Sequence, residues 1–571
     1  MQTFRLGLIA ASAVTALFAQ QATVVSVPTT YMGTSDTLYN LALASQTFAA
    51  TVPYQPTEMI QKHGPLVEDT DGQSASQATI TTPPSQPAIQ NTVPRAAFNA
   101  APGVSFEGPG LGMTGFSILG APPDPTLAVG PNHIVAWVNS QYAIFDKAGN
   151  KLLPGNGFVT GNTLFTGLGD VCETTNRGDP ILQYDRMADR WVLSQFAFAV
   201  NGSGNPIAPY RQCIAVSTTN NPMGTYNRYE IAFSSVAPNG FNDYGKLGIW
   251  PDAYYTSYNV FQGSPAGANS GVALCASDRT NMLLGNPATT VCAPVAFYAS
   301  GAAFLPGDLD GSTAPVTTAQ GNIFMRQSTV PALRMIKFKP DFVTPANTTF
   351  NDGFGGAAGS FVNITLGPTT RACNGAAGPC VAQPGTATLL DTLADRLMYR
   401  LEYRNRGGVD SLVVTQSVDP DGAGPRSSAL RWYEIRSPFS ATPSLFQNST
   451  FDPGGTGDRW MGSIAMDKLG NMVLGYSVIN TAAAPHASIA ITGRLRTDLR
   501  NVMQGETMVF TGSGSQTTYS AGALTRWGDY TTIQVDPSND CTFWYINEYL
   551  PGDGVFNWHT RIASFKFNGC N

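Results

Sequence analysis

The sequence predicts an all-β chain folded as a β-propeller of about seven blades, and three observations carry that expectation. The first is composition: of 571 residues 43% are hydrophobic, only 12% are charged, and there are 59 Gly and 40 Pro. That mixture suits many short strands joined by turns better than long helices. The second is a recurring unit: an alternating strand, an Asp, three residues, an Asp or Asn, then another strand. It appears in "YAIFDKAGN" (Asp146, Asn150), "ILQYDRMADRWVLSQF" (Asp185, Asp189), "SIAMDKLGNMVLGY" (Asp467, Asn471) and "TIQVDPSNDCTFWY" (Asp536, Asp540). The third is that these hairpins run from the first third of the chain to its end, as a radial repeat requires. Six or eight blades would fit the same pattern, and paired β-sandwiches are the alternative architecture.

The hairpin acids read first as turn staples, because Asp and Asn side chains accept from turn amides and cap a tight reversal. Gly149 and Gly470 supply positive φ there. Further strand candidates include "HIVAWVNSQYAIF", "QCIAVSTT", "DAYYTSYNVF", "LRMIKFK", "LMYRLEYR", "SLVVTQSV", "LRWYEI" and "TRIASFKF". No long amphipathic helix accompanies them, which disfavours parallel βαβ units. Blades are expected to begin near Pro125, Asp179, Gly248, Gly321, Leu397, Trp460 and Trp527.

Residues 1–22, "MQTFRLGLIAASAVTALFAQQA", carry one charge, Arg5, before an apolar run and small residues, which reads as a secretory signal peptide. An uncleaved anchor is the alternative, although the run is short for a span. No other segment approaches that length without breaks, so no transmembrane segment is expected in the mature chain. Residues 23–99 read as a Ser-, Thr-, Gln- and Pro-rich linker or N-terminal extension (a propeptide, spacer or wrapping arm), and 100–571 as the propeller. The eight cysteines form an even set, as disulfides in an exported chain require. Pairing by sequence neighbour gives Cys172–Cys213, Cys275–Cys292, Cys373–Cys380 and Cys541–Cys570, one connectivity among many. The last would staple the C-terminus to a strand just upstream. No cysteine or histidine spacing suggests zinc, no CxxCH suggests haem, and no cofactor or metal is expected.

The phrases "DPTLAVGPNHIVAWVNSQYAIFDKAGN", "GDPILQYDRMADRWVLSQF", "YGKLGIWPDAYYTSYN", "RWMGSIAMDKLGNMVLGY" and "RWGDYTTIQVDPSNDCTFWYINEY" together resemble a group of secreted bacterial propeller-type proteins over about residues 120–570. The resemblance implies export and fold, with a secreted or periplasmic location. The Asp-centred hairpins resemble more loosely the Asp-box turns of sialidase-type propellers, which are structural in those folds.

A propeller's inner strands line a central channel, so charges at their starts converge on one cleft. That places Arg177, Asp179, Lys246, Asp252, Arg396, Arg400, Asp458, Arg459, Arg526 and Asp529 as candidates, with Glu402, Tyr403 and Arg404 in the fifth blade. Two readings compete. In one, Arg–Asp pairs tie neighbouring blades together. In the other, arginines converge on an anionic ligand, which their planar forks suit. A glycosidase version has Arg400, Arg459 and Arg526 clamping a sugar carboxylate. Asp179 or Asp529 is then the acid or base, and Tyr403 with Glu402 a nucleophile and its helper. Glu402 and Tyr403 are adjacent, however, so a regular strand points them to opposite faces.

A binding module needs less: a rim of Trp250, Tyr254, Tyr255, Trp432, Tyr530 and Trp544 could stack on sugars while Lys246, Asp252 and the arginines supply directed bonds. Most aromatic residues in strands serve packing first. A net charge of −6 with no basic tract argues against nucleic acid, and no nucleophile elbow joins His133, His486 or His559 to a serine. The expected function is an exported propeller that binds an extracellular or cell-wall glycan at the central cleft or acts as a scaffold; hydrolysis of an acidic glycan is the alternative. Oligomeric state is left open.

Overall fold

A computed structural model describes residues 24–46, 57–58, 78–80, 88–92, 96–265, 267–293, 295, 303–317, 320–328, 332–350, 361–376, 378–420, 428–455, 457–480, 484–519 and 522–571. The expected signal peptide, 1–22, lies outside them. The chain is a seven-bladed β-propeller. The innermost strands are Thr126–Val129, Ile181–Asp185, Gly240–Ile249, Leu305–Asp310, Met398–Asn405, Asp458–Met466 and Thr532–Val535. From each, antiparallel strands step outward. The innermost strand of every blade packs against that of the next, and the seventh returns to the first, so the ring is closed.

Five of the expected blade starts lie within a few residues of these strands. The third and fourth do not: Gly248 is inside an innermost strand, and Gly321 immediately precedes a second strand. The innermost strands of those blades, "GFNDYGKLGI" and "LPGDLD", are rich in Gly, Asp and Asn and so read as turns. Packing accounts for one of those glycines: a Cβ on Gly248 would come within 2.4 Å of the Gly307 carbonyl oxygen on the next blade.

The Asp hairpins act as turn staples. Asp146 Oδ1 accepts from the amides of Ala148 and Asn150, and Asp467 Oδ1 from those of Leu469 and Asn471, all at 2.9 Å. In both turns the Asn side chain donates to the other carboxylate oxygen at 2.8 Å. Asp536 Oδ1 accepts from the Ser538 amide at 2.9 Å, and Asp185 Oδ1 from Ala188 at 3.1 Å.

Closure of the ring falls to a strand from before the first blade. Ala100–Glu107 pairs antiparallel with His559–Phe567 and completes the seventh blade. Segments upstream of it follow the outside of the ring. Val25–Thr34 bonds on one side to Tyr226–Ala232 and on the other to Ala288–Cys292, fusing the second and third blades into one sheet of nine strands. Ala78–Ile80 pairs with the outer edge of the fourth blade and Ala88–Gln90 with that of the fifth. A nine-residue helix, Leu38–Gln46, buries Leu38 and Ala42 beside the first and second blades.

Four disulfides join Cys172–Cys213, Cys275–Cys292, Cys373–Cys380 and Cys541–Cys570, in neighbour order. Among the described residues no helix is long and apolar enough to cross a membrane. The Cys541–Cys570 bridge closes a loop across 29 residues of the last blade. Replacing both by Ser is expected to cost about 3 kcal/mol, read as a lower denaturant midpoint. An unchanged midpoint would mean that strand pairing alone secures the closure.

Candidate functional site

The channel axis is filled by charged and amide side chains rather than by apolar ones. Gln183, on the second blade, shows the arrangement. Its amide nitrogen donates to Asp308 Oδ2 at 2.7 Å and contacts the Tyr399 hydroxyl, and its oxygen accepts from Gln534 at 2.7 Å. One side chain thus joins the second, fourth, fifth and seventh blades, which places it on the axis. Gln534 in turn accepts from the Val129 amide of the first blade at 3.3 Å.

Arg400 sits at this waist, fully buried. Its Nε donates to Asp308 Oδ2 at 2.6 Å, its Nη2 lies 2.6 Å from Asp310 Oδ1, and its Nη1 donates to the Ile533 carbonyl at 3.2 Å. The other oxygen of Asp308 accepts from the Ile249 amide at 2.9 Å. Below it, Arg404 forks onto Asp540 at 2.7 and 2.9 Å, and Arg186 reaches Asp540 at 3.2 Å and Asp310 at 3.5 Å. Glu402 Oε2 accepts from the Met466 amide at 2.6 Å. Burial, then the charge of Asp310, pushes the Glu402 carboxyl well above its ordinary pKa.

The innermost strands begin at one face, and there a second group gathers. One carboxylate oxygen from each of Asp124, Asp179 and Asp529 lies within 4.8 Å of the others. Asp124 Oδ1 accepts from the Asp529 amide at 2.7 Å, and its Oδ2 from Asn139 at 3.0 Å; Asn139 accepts from the Asp179 amide at 3.0 Å. Asp179 Oδ2 accepts from the Tyr244 amide at 3.0 Å. Arg526 donates to Asp529 Oδ1. Burial is the largest influence on Arg526 and works against its charge, yet Asp529, Asp124 and Asp179 together raise its pKa above the ordinary value.

Tyr530 donates to the Pro180 carbonyl at 2.8 Å, and the Lys246 ammonium lies 3.4 Å from the Tyr244 ring centre and 4.2 Å from that of Tyr530. Arg396 bonds Asp395 at 2.7 Å and lies 4.6 Å from the Tyr244 ring. Asp124, Asp179 and Tyr244 have φ of 48°, 46° and 54°, a left-handed conformation that costs a residue with a Cβ about 1 kcal/mol or more. Asp179 remains partly open to solvent.

Of the residues singled out in the sequence, Asp179, Lys246, Arg526, Asp529 and Tyr530 meet at this mouth. Arg400 and Glu402 lie deeper, at the waist. Tyr403 points away from Glu402: its ring packs 4.8 Å from Trp250 and 5.9 Å from Phe439, and its hydroxyl accepts from the Val316 amide at 3.2 Å. Arg459 is held by Glu506, at 2.6 and 3.2 Å, within the sixth blade, so the three clamping arginines do not share a pocket. Asp458 accepts from the Ser428 amide at 2.9 Å, and Asp252 accepts from Tyr255 at 3.0 Å in the turn after the third innermost strand. The stacking rim does not form either. Trp250, Tyr254, Tyr255, Trp432, Tyr530 and Trp544 are all buried, because strand faces between blades need bulky side chains to fill them.

Asp124 and Glu548 are among the mouth residues that went unrecognised in the sequence. Asp124 was legible: "DPTL" at 124–127 repeats "DPIL" at 179–182, and both Asp-Pro pairs precede an innermost strand. Glu548, on the second strand of the seventh blade, carried no local signal. It is 2% exposed, and burial, then Asp124, push its carboxyl well above the usual range.

No protein-family model matches the chain, and no curated protein matches it. Among solved structures, the α-L-arabinofuranosidase Arb93A from Fusarium graminearum is similar at 7% identity, covering 84% of this chain and 99% of that one, with a TM-score of 0.34. Drosophila Plexin A, solved with Semaphorin 1b, is similar at 7% identity, covering 83% and 89%, with a TM-score of 0.31. An α-L-arabinanase from Penicillium chrysogenum shares 10% identity, covering 69% and 94%, with a TM-score of 0.27. The architecture stands on the sheet pairing above.

Arg400→Ala would leave Asp308 and Asp310 buried without their shared cation and is expected to cost about 3–5 kcal/mol, measured by denaturant unfolding. The folded-state pKa of Glu402 and of Glu548 is raised above the unfolded value. Their contribution to stability is therefore full below about pH 4 and lost as pH rises through the folded pKa. Glu402→Gln and Glu548→Gln are each expected to flatten the decline in melting temperature above pH 5. An unchanged slope would mean that neither carboxyl is held protonated.

Proposed function

We propose that this chain is an exported glycan-binding propeller whose ligand docks at the mouth of the channel. The observation that supports this reading is the convergence there of Asp124, Asp179 and Asp529 around Arg526, contributed by segments hundreds of residues apart in sequence. Carboxylates accept from sugar hydroxyls, and a guanidinium donates to ring or carboxylate oxygens in the same plane. The left-handed backbone at Asp124 and Asp179 holds two of the acceptors in fixed positions at an energetic cost. Four disulfides fit an oxidising compartment, outside the cell or in the periplasm.

A second reading, hydrolysis of an acidic glycan, is favoured by Glu548. Burial, then the charge of Asp124, push its carboxyl well above the usual range, which suits the acid of the pair of carboxyl groups glycoside cleavage uses. Asp179 and Asp529 are then candidates for the base, and Lys246, Arg526 and Tyr530 for contacts to the substrate. Glu402, Tyr403, Arg400, Arg459 and Asp252 lie away from that mouth and take no part in this version.

Calorimetric titration of the mature protein against neutral and uronate-bearing oligosaccharides separates the readings. Binding is expected to weaken at least tenfold in Asp179→Asn and in Arg526→Ala, the loss of about one charged hydrogen bond. Saturable binding without new reducing ends supports the module. Turnover abolished by Glu548→Gln supports the hydrolase. No binding to any glycan at millimolar concentration would overturn both.

A further inference from the structure

The opposite face of the ring, where the innermost strands end, holds a cleft of different character. A cavity of about 440 Å³ between the fifth and sixth blades is lined by five arginines, Arg406, Arg436, Arg494, Arg496 and Arg500, against two carboxylates, Glu434 and Asp498. A second cavity of about 270 Å³ adjoins it, sharing Arg406 and Arg496 and adding Lys468 together with the paired Arg404 and Asp540. In a chain of net charge −6 with 32 Lys and Arg in 571 residues, this is a strong local excess of positive charge.

Both carboxylates are already committed. Glu434 accepts from Ser411 at 2.9 Å, from Arg436 at 2.8 Å and from Gln447. Asp498 accepts from the Leu495 amide and from Gln504, each at 2.9 Å. Arg436 is thereby paired, and Arg494 donates to the carbonyls of Val502, Asp498 and Leu499, but Arg406, Arg496 and Arg500 have no close carboxylate partner among the described residues. Arg406 is 8% exposed at its side chain; among the described residues its Nε has no hydrogen-bond partner and its one ion pair is a 3.9 Å approach to Glu434. It lies against Gly470, where a Cβ would come within 2.6 Å of its Nη1. Arg496 is exposed at the rim and its guanidinium bonds to no group among the described residues. Arg500 and Arg436 stand 3.9 and 3.2 Å from the centre of the Phe446 ring, which fixes two guanidinium planes at the cavity wall. Burial, the largest influence, lowers the proton affinity of Arg406; the charge of Glu434 opposes this, and the charges of Arg436, Arg496 and Arg404 add to it.

We infer that this cleft is a binding site for a tetrahedral oxyanion ester, a sulfated or phosphorylated sugar, with Arg406, Arg496 and Arg500 as its charged contacts. The planar forks match the paired oxygens of a sulfate or phosphate group. The cavity exceeds one such group and has room for the sugar that carries it. The site lies on the face opposite the acidic mouth and is separate from it.

The test is calorimetry at low ionic strength with glucose 6-sulfate, glucose 6-phosphate, unmodified glucose, inorganic sulfate and inorganic phosphate. One or both esters are expected to bind and glucose not to, with affinity falling as salt screens the cleft. The double variant Arg496→Gln, Arg500→Gln alters two exposed side chains and is expected to keep the parent melting temperature while losing at least tenfold in affinity. Arg406→Gln is expected to lose more. Inorganic ions that bind as tightly as the esters would overturn the ester assignment in favour of the free anion. Failure of both esters and both ions to bind, or unchanged affinity in the double variant, would overturn the site.

Discussion

Closing seven sheets into a ring creates one problem that the rest of the molecule answers. Each innermost strand turns an edge toward the axis, and apart from the parallel pairing of Gly307–Asp310 with Leu401–Arg404 its amides there have no ladder partner and little water. Side chains satisfy many of them. Asp308 takes the amide of Ile249, Glu402 that of Met466, Asp179 that of Tyr244, Asp124 that of Asp529 and the amide group of Gln534 that of Val129. Every one of these bonds crosses between blades. The acceptors that do this best are carboxylates, and buried carboxylates need cations, so Arg400, Arg404 and Arg526 follow from the backbone's demand.

That origin bears on how the charged axis is read. An Arg–Asp pair there is first a clasp between blades, and the waist around Arg400 is fully accounted for in that way. The mouth differs in degree. Its three carboxylates lie together, Arg526 bonds one of them and feels the charge of the other two, its Asp124 and Asp179 adopt a costly backbone, and Asp179 keeps contact with solvent. These features exceed what clasping requires, which is why the functional reading is placed there and not at the more heavily charged waist.

The segments that lie outside the blades by sequence are part of the same mechanical solution. Val25–Thr34 ties two outer edges together, and short strands at Ala78–Ile80 and Ala88–Gln90 cover two more before Ala100–Glu107 closes the ring. Outer edges exposed to water are open to unwanted pairing, and a chain laid along them removes that hazard. Their Ser-, Thr- and Pro-rich composition reads as a linker, yet the described strands among them pair with blade edges.

Local chemistry is what the sequence by itself determined. Asp and Asn four residues apart specify the hairpins at Asp146 and Asp467, because those bonds form within the turn. Alternating apolar residues specify strands, and their recurrence specifies blades. Cysteine neighbours paired in order because each bridge lies within one blade or between adjacent elements. What only the tertiary structure decided is which strand starts face one another across the axis. Arg459 and Arg526 both sit beside a Trp at the start of an innermost strand, yet one binds Glu506 inside its own blade and the other meets carboxylates from two distant blades. Glu548 and the arginine cleft left no local mark for the same reason. Their properties come from burial and from charges brought near by ring closure, and neither quantity exists until the ring has formed.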